Sequence, residues 1–322
     1  MRHFKHALFV LDKHLPKTSA ALKTAIEYAQ KHSTALSFIC VLPDLAPLHY
    51  SNSSETLHSI KQTLLDATRK RALEQLTCLG AEIDGRAIEL DVLFGKEYIE
   101  VSKAVLKKQH DLVIKQVSDP SWLDSVLGSN DLHLLRKCPC AIWLIDAKHN
   151  APFSNVVAAI DFSDDDTESA LNINIASHAA SFCDSDSTQM HVLSVCDGSL
   201  SDFASLWAND PNKFEREYLE EEERRRSFSA SFLVKQLSKR DDLQGFRPNK
   251  VRQHILKGHA ETLIPETLKT LNADLLVMGT IARGGVSGML IGNTAEAILL
   301  QLPCSVLALK PTNFITPIAT TD

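Results

Sequence analysis

The sequence predicts an α/β protein built of two tandem doubly wound domains, each a parallel sheet with helices on its faces. Three observations carry this expectation. Short apolar runs that stop at Gly, Pro or Asp alternate with segments of helical spacing, the pattern of successive βαβ units. The alternation restarts after the loop at 146–154. Landmark residues also recur at equal separations: Gly95 to Asp111 and Gly258 to Asp274 are each 16 residues, Gly128 to Pro139 and Gly292 to Pro303 each 11. Equal spacing between matching residues argues for duplication more strongly than similar composition does. The expected boundaries are 1–148 for the first domain, 152–311 for the second and 312–322 for a C-terminal tail.

Each element has its own reason. Ala7–Leu11 is apolar and ends at Asp12, a first strand. Pro16 to His32 has helical spacing through Ala21, Leu22, Ala25, Ile26 and Ala29. Leu36–Leu42 is a second strand, halted by Pro43, and the serines and prolines of 45–54 read as loop. A long helix runs through Leu57, Leu64, Ala72 and Leu76. Ala87–Phe94 is a third strand, Lys96–Lys108 a helix, Leu112–Ile114 a fourth strand, Asn130–Lys137 a short helix and Ala141–Ile145 a fifth strand. In the second half Val156–Ile160 ends at Asp161 as the first strand ended at Asp12. Met190–Val195 answers the second strand, a charged helix from about Asn212 to Leu237 answers the long helix, and Val251–Leu256 the third strand. Leu275–Met278 then stops at Gly279, and a loop follows with glycines at 284, 285 and 288. Gly292-Asn293-Thr294 opens a last helix that Pro303 ends, and Cys304–Leu309 is the final strand.

Composition bounds the function. Apolar content of 44% and charged content of 23% are those of an ordinary soluble globular protein. The first 150 residues carry 19 Lys+Arg against 17 Asp+Glu and the remainder 15 against 23, so the net charge of −6 sits in the second half. That argues against nucleic-acid binding. Seven cysteines without a paired framework fit a reducing compartment. No apolar run approaches the ~20 residues that span a bilayer, and the N-terminal run is too short for a signal peptide, so a cytoplasmic location is expected.

The stretch Asp274–Pro311 organises the rest. Strand, glycine loop, helix and strand bring free backbone N–H groups to one point, which suits an anion. Gly279-x2-Ala282-x9-Gly292-Asn293 matches the spacing of the G-x2-G-x9-G-[S/T] motif of ATP-binding single-domain members of the universal stress protein family, and the chain resembles the two-domain E type of that family. His133–Pro139 (HLLRKCP) carries the same likeness in the first half. The resemblance implies the adenine nucleotide alpha hydrolase-like fold, a strand order of 3-2-1-4-5, and domains paired through their fifth strands as an intramolecular pseudo-dimer. It implies ATP or another adenine nucleotide as ligand. Asp161 and Val195 would face the adenine, Gly279 the ribose, and Gly292, Asn293 and Thr294 the phosphates, with Met278 beside Gly279 at the end of the fourth strand and Arg283 adding a charge-assisted contact. This chain departs from the motif at two places: Ala282 replaces a glycine, and Asn293 replaces a hydroxyl residue but keeps the ability to cap the helix. The first half departs further, with Lys115-Gln116 where the second has Met278-Gly279, and is expected to bind no ATP. Lys115 either meets an anion or is solvated at a strand end. The alternative for the whole loop is a turn that only reverses the chain and caps a helix.

Other candidates read as structural. Asp12 and Asp161 each cap a helix or orient a base, since no partner acid, base or metal-ligand spacing accompanies them. Cys138-Pro-Cys140 lacks the second pair a zinc site needs, and no metal motif is present. His254 and His259 read as surface residues near the loops. Glu220–Arg226 (EEEERRR) places opposite charges at i,i+4, a solvated and self-paired helix face. The expected function is a stress-response protein without catalysis, whose nucleotide tunes contacts with other proteins. The alternative is a carrier of a small hydrophobic or lipid-like molecule held between the domains, lined by the loops at 43–54 and 197–211 with Leu200, Phe203, Leu206 and Trp207.

Overall fold

The computed structural model describes residues 4–15, 19–45, 54–80, 87–117, 130–146, 152–162, 170–183, 185–196, 210–243, 245–280, 291–311 and 314–318. They form two compact units, one of Arg2–Asn150 with Phe314–Asp322 and one of Ala151–Asn313. The first contains β1 (His6–Leu11), α1 (Ala20–His32), β2 (Ala35–Leu42), α2 (Ser54–Cys78), β3 (Leu90–Phe94), α3 (Glu97–Lys108), β4 (Leu112–Gln116), α4 (Asn130–Lys137) and β5 (Ala141–Ile145). Its strands are all parallel, in the order β3-β2-β1-β4-β5. The second contains β6 (Asn155–Ala159), α5 (Ala170–Ser181), β7 (Gln189–Cys196), α6 (Pro211–Leu237), β8 (Val251–Lys257), α7 (Ala260–Thr270), β9 (Leu275–Gly279), α8 (Asn293–Leu299) and β10 (Ser305–Leu309). Its order, β8-β7-β6-β9-β10, is the same 3-2-1-4-5 arrangement, again parallel.

Continuous Val, Ile and Leu runs form these strands because both faces of each sheet are covered. In the first unit Phe38, Phe9, Ile114 and Trp143 lie side by side on four neighbouring strands, all buried. The equivalent row in the second unit is Val192, Ala158, Val277 and Leu307, also buried. The two cores thus share a plan and differ in side-chain volume.

The landmark residues of the duplication have structural jobs. Asp111 accepts hydrogen bonds from the N–H groups of Lys5 (2.8 Å) and His6 (3.0 Å), and Asp274 from those of Ser154 (2.7 Å) and Asn155 (2.9 Å). Each carboxylate anchors the first strand of its unit at the fourth. Gly95 and Gly258 have φ of +151° and +138°, a region that side-chain-bearing residues rarely adopt. A Cβ at Gly95 would also stand 2.8 Å from Glu100 Cγ.

Several expected boundaries move. Helix α1 starts at Ala20 and not Pro16, because the Ser19 hydroxyl accepts from the Leu22 N–H (3.1 Å) and caps it. Asp12 therefore caps no helix; its Oδ1 accepts from the His14 N–H (2.7 Å) in a local turn. Strand β3 begins at Leu90, three residues later than expected. Helix α5 has no counterpart in the sequence reading, since its Ala- and Ser-rich segment is buried on nearly every side and shows no apolar stripe. The C-terminal tail is no free appendage. Thr316 Oγ1 donates to the Lys137 carbonyl at the end of α4 (2.5 Å), and its residues from Phe314 onward belong to the first unit.

Candidate functional site

In the second unit the order reverses at β6, whose neighbours β7 and β9 lead away in opposite directions. Ligands of doubly wound sheets sit outside the carboxyl ends of strands at such a point. Asp161 lies just past β6, Val195 near the end of β7, and Met278 and Gly279 end β9. Gly279 has a packing reason too: a Cβ there would stand 3.0 Å from Leu171 Cδ2, so glycine lets α5 close on β9. The loop that follows is pinned at both ends. Buried Thr280 donates its N–H (3.1 Å) and hydroxyl (3.3 Å) to the Leu309 carbonyl, while the Thr280 carbonyl accepts from the Gly292 N–H (2.9 Å). Gly292 is the cap of α8, with φ −73° and no side-chain cap bond. Asn293 is the first helical residue and, contrary to expectation, caps nothing; its side chain and that of Thr294 are exposed. Ala282 and Arg283 lie outside the described residues, as do the loop residues Leu200, Phe203, Leu206 and Trp207.

One residue of this site escaped the sequence reading. Arg226 is buried, at 5% exposure, and its guanidinium reaches Ser194 Oγ (3.0 Å), Glu222 Oε2 (3.2 Å) and Asp161 Oδ1 (3.6 Å). The charged run is thus not a uniformly solvated face. Arg224 is exposed and pairs loosely with Glu220 and Glu221, Arg225 grips Glu222, and Arg226 turns inward to the candidate ligand end of β6 and β7. The two arginines hold the Glu222 carboxyl below its ordinary pKa, chiefly through the Arg225 hydrogen bonds. The signal was in the spacing, since Arg226 precedes Ala230, Leu233 and Leu237 on the buried stripe.

The first unit is chemically different at the same places. A cleft of about 880 Å³ opens at the carboxyl ends of its strands, lined among others by Asp12, Gln75, Tyr98, Lys115, Asp131 and His133. Lys115 is neither solvated nor free for an anion. It is buried and bonds Glu97 Oε1 (2.6 Å) and Asp131 Oδ1 (2.7 Å). Burial alone would lower its pKa, but the charges of Asp131 and Glu97 outweigh this and raise it. By the repeat spacing, Lys115, Glu97 and Asp131 correspond to Met278, Ala260 and Ala295, so one unit has an ionic cluster where the other has apolar side chains. Asp131 is the second residue of α4. By the repeat spacing it follows directly on the counterparts of Gly292-Asn293-Thr294. Gln116, at the place of Gly279, accepts from the Ser19 hydroxyl (2.8 Å).

Histidines pair away from these ends. His191 Nδ1 lies 2.9 Å from His254 Nε2, and His191 Nε2 lies 3.3 Å from Asn155 Oδ1, so His254 is a structural partner and not a plain surface residue. In the first unit His110 Nε2 meets Ser37 Oγ at 2.7 Å, and the rings of His6 and His110 are 4.0 Å apart. Cys138 is buried, 3.7 Å from the Cys140 sulfur. Among the described residues no group of three or more His, Cys, Asp or Glu is placed to hold a metal, and no helix is long and apolar enough to cross a membrane.

Comparison with known proteins gives a consistent result. A family model described as the Universal stress protein family matches residues 3–146 and again residues 152–310. Universal stress protein E of Escherichia coli K12 is 27% identical over 243 residues, 74% of this chain and 73% of that protein. Universal stress protein E of Photorhabdus laumondii is 24% identical and matches 99% of this chain and 98% of its own length. The crystal structure of a functionally unknown protein from Pseudomonas aeruginosa PAO1 has a TM-score of 0.61 at 25% identity, covering 96% of this chain and 93% of that one.

Proposed function

The chain belongs to the universal stress protein family, and from that premise we propose that it serves the stress response as a regulatory protein whose second unit binds an adenine nucleotide, ATP being the probe of choice. One observation carries the reading: Asp161, Val195, Gly279 and the pinned Gly292-Asn293-Thr294 turn belong to one switch point. Asp161 and Val195 would hold the base, Met278 and Gly279 the ribose side, and the turn the phosphates, with Ala282 and Arg283 completing the loop. Peptide N–H groups at such a turn bind oxyanions without a lysine. The residues of the first unit do not suit a triphosphate, since the Asp131 carboxylate, already paired with Lys115, would repel it. Bound nucleotide tunes contacts with other proteins in the cytoplasm, and no turnover is required of it.

Thermal unfolding with ATP tests this. At a ligand concentration 100-fold above Kd the stabilisation is about 2.7 kcal/mol. Gly292→Asp, at a backbone conformation open to any residue, abolishes the shift by setting a carboxylate where phosphate sits. Gly128→Asp leaves it intact. Equal losses from both would overturn the assignment to the second unit.

A second reading is favoured by the cleft of about 880 Å³ in the first unit. With its anion position filled from within, that cleft suits a small molecule without phosphate. Mass spectrometry of the natively purified protein reads this directly: a co-purifying uncharged molecule lost on Gln116→Trp supports it, and its retention refutes it.

A further inference from the structure

Helix α6 carries an exposed aromatic stripe that nothing in the nucleotide reading uses. Phe214, Tyr218, Glu221, Arg225, Phe228 and Phe232 follow one another at alternating steps of four and three, which keeps them on one flank of the helix. Phe228 is 72% exposed, Phe232 38% and Phe214 37%, and the Phe214 and Tyr218 rings stack with centroids 6.4 Å apart. The stripe is also symmetric in sequence. Taken about residue 223, Phe214 mirrors Phe232, Tyr218 mirrors Phe228, and Glu221 mirrors Arg225.

We propose that this flank of α6 is a homodimer interface, in which a second copy of the chain lays its own α6 antiparallel across a two-fold axis at residue 223. An isologous contact requires a surface complementary to itself, and an antiparallel helix pair supplies one only when its pattern reads the same about its centre. The aromatic ends of each helix meet those of the other over a length of about 27 Å. Charge agrees with this register. Arg224 and Glu221 are 71% and 72% exposed and only loosely joined within the helix, at 3.5 Å. On either side of the axis, Arg224 of one copy lies beside Glu221 of the other. Lys213 of one copy and Lys235 of the other stand two residues, about 3 Å, apart along the axis on the rim, where both reach solvent. A foreign partner would have no use for the mirror pattern, which is why a second copy is the assigned occupant.

Sedimentation velocity of the full chain across the micromolar range tests the assignment. The expected result is a concentration-dependent monomer–dimer equilibrium. Phe228→Glu weakens it at least about tenfold, since each substitution enters a two-fold contact twice, and leaves the thermal midpoint of the dilute, monomeric protein in place because the side chain is exposed. Phe214→Lys does the same from the other end of the stripe. Glu221→Arg also weakens the dimer, and adding Arg224→Glu restores it. A chain that stays monomeric at every concentration would overturn the proposal. So would a dimer indifferent to Phe228→Glu, or one that the double charge reversal fails to restore.

Discussion

At Lys115 two carboxylates and one ammonium share a place that is apolar in the second unit. Removing one partner of a buried ionic cluster leaves an uncompensated charge, whereas replacing all of it by apolar groups is close to neutral. Lys115→Met alone should therefore cost about 3–5 kcal/mol, read by urea unfolding. The triple change to the second unit's residues, Glu97→Ala, Lys115→Met and Asp131→Ala, should recover most of that loss. A triple variant as unstable as the single would show that the cluster contributes net stability. Arg226 makes the matching case for the ligand end. Arg226→Lys cannot keep the Ser194, Glu222 and Asp161 contacts together, so the ATP-dependent thermal shift should shrink, while Arg224→Lys leaves it unchanged. The backbone part of the site was legible in the sequence, because Gly279, Gly292 and their spacing state where the chain must turn. The charged side chains were not. Lys115 stands at a strand end and its carboxylate partners lie 16 and 18 residues away, so only the fold shows the cluster. Arg226 was marked by nothing but its place on the buried stripe of its helix.

Strands β2 and β7 occupy equivalent places, and each bears one polar residue of a buried cluster, Ser37 beside His110 and His191 beside His254. Burial, and then the neighbouring His6, lowers the His110 pKa to about 4. Burial, then His254 and Arg252, does the same for His191. Unfolded, both titrate near 6.5, so between these values the unfolded chain binds more protons than the folded one. Their contribution is fully present above about pH 6.5 and is lost as pH falls toward 4, by up to about 3 kcal/mol for each histidine. Chemical denaturation from pH 7 to 4 should show this slope, and His110→Gln with His191→Gln should flatten it; an unchanged slope would assign acid sensitivity to the carboxylates. Strand positions were readable because continuous apolar runs bounded by Gly, Pro or Asp have few other uses. Helix α5 was not, since a helix buried all round carries no periodic contrast.

Across the molecule, each unit's order ends on an apolar strand, β5 (Ala141–Ile145) or β10 (Ser305–Leu309), with neither a charge nor a proline to protect an edge. Residues 1–148 or 152–322 expressed alone should therefore self-associate, seen by light scattering. Well-behaved monomeric halves would refute the expectation that such a strand needs covering. Tandem architecture was visible in the repeat spacings, and the structure explains them through Asp111 and Asp274, which tie first strands to fourth. What no spacing announced was the return of the tail, where Thr316 meets the Lys137 carbonyl across 179 residues of sequence. That contact bears on how the protein is made. Translation delivers α4 long before Thr316 leaves the ribosome, so the first unit emerges first and is finished last. A nascent chain halted anywhere in the second unit carries a first unit with one helix end still open, and a chain that stops short of Thr316 harms the half that was translated first.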